Sequence, residues 1–116
     1  MTKELGNLGE NLAMEKLKDM GYKIICRNFT CRLGEIDIIA QDKDILVFIE
    51  VRSRKADTYG FPSETVNFRK QQKLRKVAQY YLMINNLENV YCRFDVVSII
   101  WNKGKRIEIE VIKDAF

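Results

Sequence analysis

The sequence predicts an α+β fold, an α/β sandwich in which helices cover a mixed β-sheet. Apolar residues recur at helical spacing in two segments of the chain. Five other segments are rich in β-branched and aromatic residues or alternate between apolar and polar residues. The predicted order is α-β-β-β-α-β-β. Because a helix separates the third strand from the fourth, these two strands can run parallel, which would make the sheet mixed.

The first helix is predicted between Glu4 and Met20, where leucines recur at helical spacing, and Gly21 follows as a C-terminal cap. Three small residues would let this helix approach the sheet closely: Gly6, Gly9 and Ala13. Three strands separated by turn residues follow the helix, namely Tyr22–Phe29, Glu35–Gln41 and Ile45–Arg52. The third is apolar on both faces, as expected of a central strand covered by two layers.

The second half of the chain is predicted to contain a loop, a helix and a hairpin. Ser53–Ser63 has no periodicity and is predicted to be a loop. Asn67 is a candidate N-cap for the second helix, whose apolar stripe includes Leu74, Val77, Ala78, Tyr81 and Leu82. Strands four and five are predicted at Val90–Trp101 and Arg106–Lys113, joined by a turn that contains glycine.

The composition indicates one domain that spans residues 1–116. The longest apolar runs are far shorter than the roughly 20 residues that cross a bilayer, so we expect a cytoplasmic protein without a membrane contact. The three cysteines match no zinc-knuckle or redox spacing, and there is no histidine. A Ser-His or Cys-His nucleophile is therefore excluded. Acid–base or metal chemistry must rest on carboxylates, Lys, Arg or Tyr.

Positive charge is concentrated between Arg52 and Lys76, where eight basic residues face two acidic ones. This window carries a net charge of +6, whereas the whole chain carries +4. A basic strip of this kind suits a polyanion such as nucleic acid, because phosphate contacts release counterions. A solvated helix face is the alternative interpretation.

Two carboxylates interrupt strands that are otherwise apolar, Asp37 in the second and Glu50 in the third. A charge inside a central strand is costly unless it is paired, hydrogen-bonded or bound to a metal. If the connection is the four residues Asp42–Ile45, Gln41 pairs with Leu46 and Asp37 lies directly opposite Glu50. A two-residue turn at residues 42–43 would place Asp37 diagonal to Glu50, and a three-residue loop would send the two to opposite faces.

Converging carboxylates supply the hard oxygen ligands that Mg²⁺ or Mn²⁺ prefers. Such a metal could polarise a phosphodiester and activate a water molecule. The alternative is a structural ion pair between Glu50 and Arg52 or a lysine of the second helix. Asp95 also interrupts an apolar strand, and the sequence suggests only a basic partner for it.

Several motifs together resemble the YraN-like uncharacterised protein family over nearly the whole chain. They are Gly6-x-x-Gly9-Glu10-x-x-Ala13, Gly34-Glu35-Ile36-Asp37-Ile38-Ile39, Glu50-Val51-Arg52-Ser53-Arg54, Lys70-x-x-Lys73-Leu74 and Phe94-Asp95-Val96-Val97. That family is similar to PD-(D/E)xK nucleases and to archaeal Holliday-junction resolvases. The resemblance implies a restriction-endonuclease-like core, whose αβββαβ order agrees with the order predicted above.

The resemblance also implies roles for individual residues. Asp37 and Glu50 would take the two acidic metal positions, the backbone carbonyl of Val51 would be a further ligand, and Glu10 would complete the site. Arg52 departs from the pattern, which has lysine there. Arginine can hold phosphate or stabilise developing charge, but its pKa is too high for it to act as a base.

The basic residues near this site are candidates for contacts with nucleic acid. Lys70 and Lys73 could bind phosphate or partly replace the missing lysine. Arg54, Lys55 and Tyr59 are predicted in the loop after the third strand, where they could follow a backbone or stack on an unpaired base. The nucleic-acid-binding set is completed by Arg69 on the second helix.

The leading hypothesis is therefore a metal-dependent nuclease with Asp37, Glu50 and Arg52 as its catalytic residues. DNA is the favoured substrate, in branched or single-stranded form, and resolvase-like relatives that act on two strands suggest a homodimer. A catalytically inactive nucleic-acid-binding module on the same fold is the alternative, which Arg52 favours. A small protein-interaction domain with a core ion-pair network is the third hypothesis.

Overall fold

In the computed structural model, a five-stranded sheet lies between two helices. The structure describes residues 3–55, 66–102, 104 and 107–116, with side chains from residue 7 onwards. Within these ranges neither helix is long and apolar enough to cross a membrane. The predicted α+β class and element order are confirmed, and the elements are α1 (Lys3–Asp19), β1 (Lys23–Cys31), β2 (Gly34–Asp42), β3 (Ile45–Lys55), α2 (Phe68–Ile84), β4 (Cys92–Trp101) and β5 (Glu108–Ile112).

The sheet is mixed, and its strands lie in the order β1-β2-β3-β4-β5. Neighbouring strands are antiparallel except β3 and β4, which run parallel as the intervening helix allows. The parallel ladder continues to Lys55, which pairs with Trp101. The prediction of a loop beginning at Ser53 is therefore wrong, because β4 continues to supply backbone partners beyond the apolar part of β3. Residues 56–65, including Tyr59, lie outside the described part of the chain.

Each face of the sheet packs against one helix. On one face, Leu74, Val77 and Tyr81 of α2 join Phe48 of β3 and other apolar residues in what we call the α2-side core. On the other face, Ala13 and Leu17 of α1 join a second buried cluster, the α1-side core. The expectation that β3 is covered on both faces is confirmed, because its odd-numbered and even-numbered residues enter different cores.

The face that α1 buries differs from the predicted leucine stripe. Leu8 is 46% exposed, whereas Gly9, Ala13 and Leu17 are buried at four-residue intervals. A Cβ atom on Gly9 would lie 3.0 Å from Ser53 Oγ and 3.5 Å from Ile99 Cδ1. The close approach predicted from the small residues is therefore confirmed at Gly9, and it places the first part of α1 against the end of β3.

A buried polar network on the α1 face explains Asp95. This carboxylate is fully buried and accepts hydrogen bonds from the Tyr22 hydroxyl (2.7 Å), from Arg93 Nε (2.8 Å) and from the backbone N–H of Asp114 (2.9 Å). Arg93 also donates to Asp42 Oδ2 at 2.8 Å. Both oxygens of Asp95 are thus hydrogen-bonded, as a buried charge requires. The network ties the start of β1 and the C-terminal segment to β4.

Candidate functional site

The hairpin between β2 and β3 has the register that places Asp37 opposite Glu50. Gln41 pairs with Leu46, as predicted for this register, but Asp42 also pairs with Ile45. The connection is therefore the two residues Lys43 and Asp44, and the four-residue connection Asp42–Ile45 expected with this register is wrong, because the ladder continues for one more pair. Lys43 adopts a positive φ of 58°, which this tight turn requires. The last ladder pair towards the site is Ile38 with Ile49. Beyond that pair the two strands are no longer held by the ladder, and the two carboxylates lie at the point where it ends.

Asp37 binds the backbone of the neighbouring strand. Its Oδ2 accepts a hydrogen bond from the N–H of Val51 at 2.8 Å, in place of a ladder hydrogen bond. The pKa of Asp37 is raised from 3.8 to about 7, because burial and, to a smaller extent, repulsion from Glu50 outweigh the hydrogen bond from Val51. A negative charge at Asp37 is therefore unfavourable unless a positive charge or a proton compensates it. The contact that Val51 makes with the site is therefore through its backbone N–H, whereas the resemblance implied its carbonyl.

Glu50 is 8% exposed and forms an ion pair with α2. Lys70 Nζ lies 2.5 Å from Glu50 Oε1. Lys70 is held in the first turn of α2, where its backbone N–H donates to the Asn67 side chain at 2.9 Å. Asn67 is therefore the N-cap that the sequence predicts. An ion pair with a helix lysine was the structural alternative for Glu50, and this ion pair is present.

Glu10 approaches the site from the α1 side. Its charge contributes to the raised pKa of Asp37, and its Oε1 accepts a hydrogen bond from Arg27 Nε at 3.1 Å. Arg27 also donates to Asn11 Oδ1 at 2.6 Å and to the carbonyl of Asn7 at 3.3 Å. Arg27 therefore fixes the orientation of Glu10 relative to β1. Sequence reasoning missed this arginine, because nothing in the local pattern of β1 distinguishes it from a solvent-facing charge.

The remaining predicted residues lie on β3 and α2. Arg52 is half-buried, pairs with Ser98 in the ladder and shares the Glu50 face by strand alternation. Arg54 and Lys55 lie in the strand and not in a loop, since they pair with Ile100 and Trp101. The exposed side chains of Arg69 and Lys73 extend from α2.

The donor set fits a divalent cation that is bound mainly by two carboxylates. Among the described residues, no group of three or more His, Cys, Asp or Glu side chains is placed to hold a metal ion. Mg²⁺ is commonly bound by one or two carboxylates, with water and substrate phosphate completing its shell. Asp37 and Glu50 can supply that pair. The unfavourable charge at Asp37 is what a cation would neutralise.

Comparison with known proteins identifies the family. The family model described as uncharacterised protein family UPF0102 matches residues 9–99. The chain belongs to the UPF0102 family. A UPF0102 protein of Clostridium tetani is 50% identical over 115 residues, which cover 98% of this chain and 94% of that protein. A UPF0102 protein of Caldicellulosiruptor saccharolyticus is 46% identical over 115 residues, which cover 98% of both chains.

A third UPF0102 relative, from Clostridium botulinum, is 49% identical over 116 residues and covers 98% of this chain and 94% of its own length. The YraN-like resemblance based on the motifs is thereby confirmed. The matched segment contains Glu10, Asp37, Glu50 and Lys70. The names of these UPF0102 relatives assign no activity.

Proposed function

We propose that this UPF0102 protein is a Mg²⁺- or Mn²⁺-dependent nuclease that hydrolyses phosphodiester bonds in DNA. The observation that carries the proposal is the meeting of Asp37 and Glu50 at the point where the β2–β3 ladder ends, beneath the first turn of a basic helix. Glu50 is paired with Lys70, whereas the pKa of Asp37 is raised by its burial and by the neighbouring carboxylates, and perturbed pKa values of this kind are common at functional sites. The resemblance to PD-(D/E)xK nucleases supports the same conclusion.

The residues of the chain have separate roles in this proposal. Asp37 and Glu50 would hold the cation, which would supply Lewis-acid polarisation of the phosphodiester and lower the pKa of a water molecule. The hydrogen bond from Val51 keeps the Asp37 carboxylate oriented. Lys70, which pairs with Glu50 in this structure, is the cation that would bind a phosphate oxygen if a metal ion took its place at that carboxylate. Arg52, on the Glu50 face, stabilises the developing negative charge.

The second candidate is a DNA-binding module that does not cleave the DNA it binds. Two observations favour it. Arg52 stands where the nuclease pattern has a lysine, and the Lys70–Glu50 ion pair neutralises one of the carboxylates without a metal. Such a module would keep the basic helix and bind DNA in a salt-dependent manner.

Cleavage assays separate these candidates. Labelled single-stranded, duplex and four-way-junction DNA are incubated with the protein in Mg²⁺, Mn²⁺ or EDTA. Asp37→Asn and Glu50→Gln should each abolish metal-dependent cleavage and leave most DNA binding intact. Asp44→Asn is the matched control, because Asp44 is an exposed carboxylate in the β2–β3 turn and should leave cleavage unchanged. Cleavage that survives both site variants would overturn the proposal.

Binding of DNA without any cleavage would instead support the inactive module. If the protein acts on both strands of a junction, we expect two copies of the chain to act together. Sedimentation analysis of the protein, alone and with the junction, measures that stoichiometry.

A further inference from the structure

A basic groove lies between the β1–β2 turn and the first half of α2, the helix whose Lys70 pairs with Glu50. Its volume is about 550 Å³. We call it the α2 groove, and the side chains that matter here are Arg32, Phe68, Arg69, Lys73 and Lys76. All five are exposed, and no acidic residue is among the described residues that line the groove.

The basic residues of the groove belong to one face of α2. Arg69, Lys73 and Lys76 follow each other at intervals of four and three residues, which aligns them along the helix. Arg32 joins them from the turn between β1 and β2. The aliphatic stem of Lys73 lies against that turn, since a Cβ on Gly34 would come within 3.2 Å of Lys73 Cε. The four cations therefore form one continuous surface.

This concentration of positive charge opposes the stability of α2. The first turn of the helix carries Arg69 and Lys70 and no acidic residue. Cations near a helix N-terminus are unfavourable, because the helix dipole already places partial positive charge there. The other basic residues of α2 have partners within the protein, since Lys70 pairs with Glu50 and the Arg75 guanidinium lies 5.0 Å from the centre of the Phe94 ring. The groove cations line an open cavity, which is the arrangement expected for an anionic ligand.

An aromatic ring distinguishes this surface from a site for phosphate alone. Phe68 begins α2 and is 72% exposed, although phenylalanine is usually buried. Base stacking on an aromatic side chain, next to a positively charged groove, is how proteins bind single-stranded nucleic acid. In duplex DNA the faces of the bases are covered by their neighbours, so a lone aromatic ring has access only to an unpaired base.

We propose that the α2 groove binds a single-stranded segment of DNA, with Phe68 stacked on an unpaired base and the groove cations on the flanking phosphates. This inference rests on the proposed function, because α2 carries the groove cations as well as Lys70, which pairs with Glu50 of the candidate site. It gives the nuclease a substrate class, namely DNA that contains unpaired nucleotides beside the bond to be cut.

Fluorescence anisotropy in EDTA tests the groove independently of cleavage. The probes are a labelled oligothymidylate and a labelled duplex of the same length. The wild-type protein should bind the single strand more tightly. Phe68→Ala should weaken that binding by about 5- to 150-fold, which corresponds to the loss of one base–aromatic stack. Phe68→Tyr, which keeps an aromatic ring, should restore most of the affinity.

The matched control is Tyr91→Ala, which removes another aromatic side chain that is 76% exposed and lies outside the groove. It should leave binding unchanged. The charge contribution is tested with Arg69→Gln and Lys76→Gln. Each should lower the slope of log affinity against log salt by about 0.7, the value for one phosphate contact on a single strand. Lys18→Gln, an exposed lysine in the last turn of α1, is the control for net charge.

The inference would be overturned by any of three results. Phe68→Ala and Tyr91→Ala lose single-strand affinity equally, the wild-type protein binds the duplex as tightly as the single strand, or it binds the matching RNA strand more tightly than the DNA. Its failure is distinguishable from failure of the nuclease proposal. If Glu50→Gln abolishes cleavage while Phe68→Ala leaves single-strand binding intact, the nuclease proposal stands and the groove assignment falls. If single-strand binding depends on Phe68 but no cleavage occurs, the groove assignment stands alone.

Discussion

Replacing Asp37 by asparagine should make the metal-free protein more stable at neutral pH. The folded-state pKa of Asp37 is about 7, above its ordinary value of 3.8. Below the ordinary value the carboxyl is protonated in the folded and the unfolded chain, and its ionisation does not affect stability. As the pH rises towards the folded-state pKa, the unfolded chain gives up the proton more readily, so the free energy of unfolding falls.

The structure sets the size of this effect. Each pKa unit corresponds to about 1.4 kcal/mol. The rise from 3.8 to about 7 therefore corresponds to a loss of up to about 4 kcal/mol by the time the carboxyl is fully ionised. Asparagine keeps an oxygen that can accept the hydrogen bond from Val51 and carries no charge. Asp37→Asn should thus remove the penalty without removing the contact that holds β2 to β3.

Urea unfolding followed by circular dichroism, in EDTA and between about pH 4 and pH 8, measures the effect. The stability difference between Asp37→Asn and the wild type should grow steadily with pH. Asp44→Asn, the exposed turn variant, controls for the general effect of removing one negative charge. The reasoning is refuted if the wild type and Asp37→Asn change in parallel over the whole range.

Two further predictions concern the metal site and the buried network. Mg²⁺ or Mn²⁺ should raise the melting temperature of the wild type at neutral pH, because a ligand that binds only the folded state stabilises that state by mass action. Asp37→Asn lacks one of the two carboxylates and should show no rise. An equal rise in both proteins would contradict the metal site. Asp95→Ala should lower the free energy of unfolding by about 1–3 kcal/mol for each donor that it leaves without an acceptor, because Tyr22 and the N–H of Asp114 lose theirs while Arg93 keeps Asp42. Tyr22→Phe, which removes one donor to Asp95, should cost about 1 kcal/mol, and equal losses in these two variants would argue against a central role for Asp95.

The sequence by itself was sufficient to predict features that depend on residues close together along the chain. Asn67 could be identified as an N-cap because its side chain reaches a backbone N–H only three residues ahead. The apolar stripe of α2 and the two-sided burial of β3 follow from the spacing of side chains in regular structure. Asp37 and Glu50 could be selected as candidates because a charge is unexpected inside an apolar strand.

Strand ends and helix orientation needed the tertiary structure. β3 continues to Lys55 because β4 lies beside it, and the composition of residues 53–55 gives no sign of that partner. α1 buries the line of Gly9, Ala13 and Leu17, and leaves Leu8 half exposed. The small side chains let the helix backbone approach the sheet, and this closeness decided the buried face more strongly than the number of leucines did.

Some residues of the candidate site could likewise be selected from the sequence, whereas their positions relative to one another needed the tertiary structure. The sequence left three hairpin registers open, and the pairing of Gln41 with Leu46 decided among them. Only the packing of α2 brought Lys70 to Glu50, and only the packing of α1 on β1 brought Arg27 to Glu10. Local patterns arise from backbone geometry over a few residues, whereas an ion pair between elements depends on how whole helices seat on the sheet. For that reason the carboxylates and the basic residues of α2 could be selected from the sequence, whereas the pairing of Glu50 with Lys70 in particular, the pairing of Glu10 with Arg27 and the shape of the α2 groove could not.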